Sequence, residues 1–203
     1  MTFPEPSFRE LIGDAVHYAA SKLFEPSVIH AAPINTIGCF LLQHLMQREF
    51  RPVAGSIGVV AGGTPFGLEA DLAKIEAHEY YVWIEARHED GRIEVVDFAS
   101  RYWRAWAKGV GVLWIGASPP DVVWAWKDEV AADLARYETE PEITERVRYT
   151  VSAAVEQRSP EGPVQAWEDA INDAIHFVAS SERGLAFLAE AGLAEPVDEA
   201  EPG

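Results

Sequence analysis

The chain has 203 residues, 48% of them hydrophobic, which suits one domain with a sizeable core. Its 16 Lys and Arg face 33 Asp and Glu, a net charge of −17. That balance excludes general nucleic-acid binding, whose affinity comes from Lys and Arg displacing counterions from phosphates. A single cysteine excludes an intramolecular disulfide and a Cys-rich zinc site.

Taken in chain order, Ser7 with Glu10 forms a capping box that opens a first helix, whose apolar face runs through Phe8, Leu11, Ala15 and Tyr18 and which Pro26 closes. A second helix is predicted from Asn35 or Thr36 to Phe50, with Ile37, Phe40, Leu41, Leu45 and Met46 inward. Ser56 to Ala61 reads as a buried strand and Leu68 to Ile75 as a short helix. Tyr80 to Ile84, the polar turn His88-Glu89-Asp90-Gly91, and Ile93 to Phe98 form a hairpin, rich in aromatic and β-branched residues. Val112 to Ile115 reads as one more strand. Helices are then predicted over Asp121 to Tyr137, Pro141 to Gln157, Val164 to Ala179 and Leu185 to Ala191. The sum is one α+β domain over residues 1–194: helices packed on a small antiparallel sheet, then a helical C-terminal part. Residues 195–203, with four acids and two prolines, are expected to be a disordered tail.

No apolar run approaches the ~18 residues of a membrane span, and the stretch from Met1 to Pro6 has neither the basic nor the apolar region of a signal peptide. The expectation is a cytoplasmic protein that binds neither membrane nor nucleic acid. No HExxH or other zinc spacing occurs, and the glycines around 55–63 match neither a P-loop nor GxGxxG, so neither a metal nor a cofactor is predicted.

The chemistry-bearing feature is an ordered trio, Cys39, His78 and Asp97. A helix starting at Asn35 or Thr36 places Cys39 in its first turn, where the dipole favours a thiolate. His78 enters one hairpin strand and Asp97 ends the other, so the carboxylate is positioned to hold the imidazole tautomer while the second ring nitrogen faces sulfur. Direct pairing of the two needs a turn centred between residues 87 and 88. The turn residues Asp90 and Gly91 sit about three positions later, an offset for a bulge or twist to absorb.

The text Asn35-Thr36-Ile37-Gly38-Cys39-Phe40-Leu41-Leu42, then His78-Glu79-Tyr80-Tyr81-Val82-Trp83-Ile84-Glu85, then Val95-Val96-Asp97-Phe98-Ala99 resembles the transglutaminase-like and papain-like cysteine-peptidase superfamily in order and placement, and specifically a bacterial branch of it. The resemblance covers roughly residues 33–103, about a third of the chain. It implies a hydrolase or acyltransferase that cleaves an amide or ester of a peptide or small acyl substrate through a Cys39 thioester, with His78 as base and acid and Asp97 as the orienting group. Asn35 is then an oxyanion candidate beside the Cys39 N–H, and equally a plain helix cap. Trp103 and Trp106, with Trp124 and Trp126, offer an aromatic substrate groove or ordinary core.

Each residue also has a plainer reading. Cys39 between Ile37, Phe40 and Leu41 suits a packed small hydrophobe. Asp97 suits a strand end, and His78 and His88 suit the surface. The alternative function is a catalytically inactive fold of this kind, used as an acidic protein-binding module.

Overall fold

The computed structural model describes residues 3–25, 27, 30–61, 63–77, 79–156, 163–190 and 192–193. Its helices are α1 (Pro6–Leu23), α2 (Ala31–Met46), α3 (Trp103–Gly109), α4 (Pro141–Glu156), α5 (Pro163–Ala179) and α6 (Glu182–Glu190). Its strands are β1 (Arg51–Ala61), β2 (Thr64–Leu68), β3 (Tyr81–Arg87), β4 (Ile93–Asp97), β5 (Val123–Trp126) and β6 (Ala135–Thr139). The fold is α+β, with an antiparallel sheet in the order β2-β1-β3-β4-β5 and β6 added to β1.

β1 is the organising strand, because its eleven residues serve three partners. Residues 51–55 pair with β3, 55–59 with β6 and 57–61 with β2. Gly55 pairs with both Tyr81 and Thr139, and a Cβ there would run into the Glu138 carbonyl oxygen. Only glycine admits so close a backbone approach.

Alternation along β3 sets the two faces of the sheet. Ile84 points toward α2, where Gly38 leaves room for Ile84 and the Phe98 ring. Tyr81 and Trp83 point the other way, toward Tyr137 of β6 and Trp103 of α3. α1, α2 and α5 bury a common core with the sheet through Ile12, Val16, Ile34, Leu41, Leu45 and Ala174. α4 covers the smaller Ala54–Val82 patch with Ile143 and Val147.

Several expectations are corrected. Residues 121–137 form no helix; they carry β5, a turn and the start of β6. Burial alternates in β6, with Ala135 and Tyr137 inward and Arg136 and Glu138 outward. Val112 to Ile115 is a loop rather than a strand, with Leu113 and Ile115 exposed and Val112 and Trp114 half-buried. The short helix predicted over 68–75 is a 3-10 segment at Leu72–Ala77, preceded by β2. α1 begins at Pro6 over Glu5, with no side-chain cap, so the Ser7–Glu10 capping box does not form. The tail at 195–203 lies outside the described residues, as does Pro26.

Candidate functional site

Cys39 is the ninth residue of α2, in its third turn. The first-turn placement is therefore corrected: the helix starts at Ala31 over His30, with no side-chain cap. A helix dipole acts within about one turn, so it gives the thiol little help there. Cys39 is 3% exposed, and burial pushes its thiol up to about 12 against a weaker opposing pull from Arg148. It forms part of the wall of a cavity of about 290 Å³ shared with Thr36, Phe40, Gln43, Phe50 and Arg148.

Asp97 is fully buried at the end of β4, and its carboxylate meets four donors. Oδ1 accepts from Asn35 Nδ2 at 3.0 Å and from the Ala99 N–H at 2.8 Å. Oδ2 accepts from the Tyr81 hydroxyl at 2.9 Å and the Tyr137 hydroxyl at 3.0 Å. Burial raises its pKa, and the Asn35, Ala99, Tyr81 and Tyr137 bonds oppose that shift. This carboxylate joins α2, β3, β4 and β6 at one point, with each lone-pair direction used.

The hairpin register explains why Asp97 belongs to that cluster. β3 and β4 pair Ile84 with Val96 and Arg87 with Ile93 without a bulge. The turn is closed by His88 N–H to the Arg92 carbonyl, with Gly91 at a φ of 86°. Extending the ladder by one pair sets Asp97 across from Trp83, five residues further along the chain than position 78. The offset between turn and trio is thus real, and it delivers the carboxylate to Tyr81 and Tyr137. His78 itself lies outside the described residues.

Asn35 neither caps α2 nor offers a free amide. It is the fifth helical residue; its Nδ2 donates to the Val82 carbonyl at 2.8 Å as well as to Asp97, and its Oδ1 accepts from the Phe98 N–H at 2.8 Å. The structure therefore joins Asn35 and Asp97, while Cys39 is not among the groups bonded to either. Trp103 is buried and donates to the Tyr81 hydroxyl at 3.2 Å, so it extends the Asp97 network instead of lining a groove. Trp106 is half-buried, stacked on Tyr81 at 6.1 Å and edge-on to Phe66 at 5.2 Å. Trp124 is bonded to Glu94, and Trp126 lies under the Arg92 guanidinium at 4.0 Å, so the four tryptophans share no single groove.

Sequence reasoning missed Tyr81 and Tyr137 as partners of Asp97, and it missed a second buried carboxylate. Glu94 accepts from Arg48 at 2.6 Å, His88 Nε2 at 2.7 Å and Trp124 Nε1 at 2.5 Å. His88, expected at the surface of a turn, is held there and tethers the hairpin to the end of α2. The period-2 alternation of β4 was the available signal, since it puts Glu94 and Val96 on one face. His17 is buried in α1 with Nδ1 3.0 Å from the Tyr102 hydroxyl, and burial, with Arg101 nearby, lowers its pKa to about 3.

Among the described residues no cluster of three His, Cys, Asp or Glu side chains is placed to hold a metal ion, and no helix is long and apolar enough to cross a membrane. No family model and no curated protein matches the chain. A solved structure described as the crystal structure of genomics APC5867 matches with a TM-score of 0.54 over 84% of this chain and 78% of that one, at 19% identity. At that identity the likeness speaks for the shared α+β fold alone.

Proposed function

We propose that this chain is a protein-binding module in which Cys39 and Asp97 serve packing rather than covalent chemistry. The observation that carries the reading is the thiol: buried in the third turn of α2, with its pKa pushed up to about 12. A nucleophilic cysteine works as a thiolate, and a thiol of that acidity is almost wholly protonated near neutral pH. Asp97 supports the same reading, because its four donors leave no lone pair for an imidazole.

The second reading is the cysteine hydrolase or acyltransferase acting through a Cys39 thioester. The wall position of Cys39 in the 290 Å³ cavity, with Arg148 alongside, favours it, because a small acyl group fits such a space. Turnover of p-nitrophenyl acetate and of fluorogenic peptide amides by wild type and by Cys39→Ser separates the two. The binding reading predicts equal, background rates. Turnover that Cys39→Ser abolishes, in a variant that still folds, establishes the hydrolase.

A further inference from the structure

One contiguous stretch that breaks the acidic pattern of this chain gathers three cations. Residues 98–120 carry Arg101, Arg104 and Lys108 and no acid, in a chain whose net charge is −17. The same stretch exposes large apolar side chains: Val110 at 53%, Leu113 at 76% and Ile115 at 58%. Beside them the half-buried Trp106 and Trp114 stand edge-on to Phe66 of β2, at 5.2 and 6.4 Å. Singly exposed apolar residues are ordinary; a contiguous apolar patch rimmed by cations marks an interaction surface.

The loop is built to hold these side chains outward. The Val110 N–H donates to the Trp106 carbonyl at 3.0 Å and the Val112 N–H to the Ala107 carbonyl at 2.8 Å, which turn the chain back on α3. Trp114 Nε1 donates to the Ala117 carbonyl at 2.6 Å. Gly111 and Gly116, at φ of 78° and 104°, take the left-handed conformations that flank the apolar run. A surface fixed before contact loses less conformational entropy on binding.

The charges divide in an informative way. Arg101 is already paired with Asp14 and Asp121. Arg104 and Lys108 form no ion pair among the described residues, and both line a cavity of about 410 Å³ with Val112, Leu113 and Trp114. An apolar floor with two unpaired cations at its rim complements a segment that carries an apolar anchor between carboxylates. An anionic bilayer is a poorer match: an extended charged sheet would face acids across a whole side of the molecule, whereas a short segment can seat its carboxylates within a Debye length of Arg104 and Lys108.

We infer that the loop at 110–116 and the Arg104–Lys108 edge of α3 form the docking surface for an acidic protein segment anchored by apolar side chains. The inference rests on the binding-module reading and names the site and partner class for it. Carboxylates of the partner sit against Arg104 and Lys108, and its apolar anchor displaces water from Leu113 and Trp114.

The test uses fluorescence anisotropy with the fluorescein-labelled peptide DEELFDLLEE and, as control, the same peptide with lysine in place of every acid. The acidic peptide binds wild type and the lysine peptide does not. Leu113→Asp and the double variant Arg104→Glu/Lys108→Glu each weaken binding by about tenfold or more. Both variants lie on the surface, so unchanged circular dichroism and melting show that the fold is intact. The inference is overturned if the acidic peptide fails to bind, or binds all variants equally. It is also overturned if light scattering shows a wild-type dimer that Leu113→Asp dissolves, which assigns the patch to a second copy. Co-sedimentation with phosphatidylcholine–phosphatidylglycerol vesicles that Leu113→Asp abolishes, without peptide binding, assigns it to lipid and overturns the inference too. A failed docking surface with a thiol that gives no turnover leaves the binding module standing; Cys39-dependent turnover removes the module whatever the peptide does.

Discussion

Replacing Asp97 by alanine tests whether this residue is a structural acceptor. The substitution leaves the Ala99 N–H and the Tyr81 and Tyr137 hydroxyls buried without their acceptor, while Asn35 keeps its bonds to Val82 and Phe98. Stranding a buried donor costs about 1–3 kcal/mol, and relief of the carboxyl group's own desolvation offsets part of the sum over the three donors. We expect a loss of about 4 kcal/mol for Asp97→Ala. With a urea slope of about 2 kcal/mol/M, the midpoint followed by tryptophan fluorescence falls by about 2 M. Asp97→Asn retains an acceptor oxygen for two of the donors and the tyrosine hydroxyls are free to rotate, so it costs about half as much. A double-mutant cycle of Asp97→Ala with Tyr137→Phe should show coupling of about 1 kcal/mol or more, since the two share a bond. A loss below about 1 kcal/mol for Asp97→Ala, or additive energies in the cycle, refutes the structural role.

Two other perturbations follow from the same packing. His17 has a folded pKa lowered to about 3, below its unfolded value, so the stability it contributes is present above about pH 6.5 and is lost as the pH falls toward 3. Between pH 7 and pH 4 that loss amounts to about 3 kcal/mol by urea titration, and His17→Asn, which removes the titrating group, should flatten that part of the profile. Gly55→Ala drives a methyl into the Glu138 carbonyl and forces β6 from β1. We expect at least about 2 kcal/mol of destabilisation, with amide-exchange protection lost first in β6, whereas Gly58→Ala, with open space at its Cβ, should cost under about 1 kcal/mol.

Much of the fold was legible because the period of the apolar residues matched the element that formed. α1, α4 and α5 carry clear helical spacing, and the aromatic and β-branched runs around Gly91 could form little other than a hairpin. The segment from 121 to 139 misled because its alanines and acids favour helix, while pairing with β4 and β1 decides the outcome. Pro65 and Gly67 concealed β2, yet a Cβ at Gly67 would meet the Ile57 carbonyl oxygen, so that glycine is what lets the strand approach. Val112 to Ile115 reads as a strand by composition, and nothing in the sequence shows that Leu113 and Ile115 face outward from an unpaired loop.

The site was less legible, for one local reason. α2 has no side-chain cap, so its start at Ala31 leaves no sequence mark, and Asn35 and Thr36 imitate one. Thr36 bonds back to the Ala32 carbonyl inside the helix, and Asn35 reaches across to Asp97, a contact between residues 62 apart. Moving the helix start by a turn takes Cys39 out of the region where the dipole acts and into the core. The turn offset was visible in the sequence, and the bulge or twist expected to absorb it is absent from the β3–β4 ladder.

The most direct test of the central claim is the rate of Cys39 alkylation by iodoacetamide between pH 5 and about 10, on the native protein and in denaturant, where an ordinary thiol titrates near about 8.5. A buried thiol with its pKa pushed up to about 12 should react at least about a hundredfold more slowly in the native protein than in denaturant, with a rate still rising at the alkaline end. A native rate that plateaus below about pH 7, faster than the denatured chain, would contradict the account and restore Cys39 as an activated nucleophile.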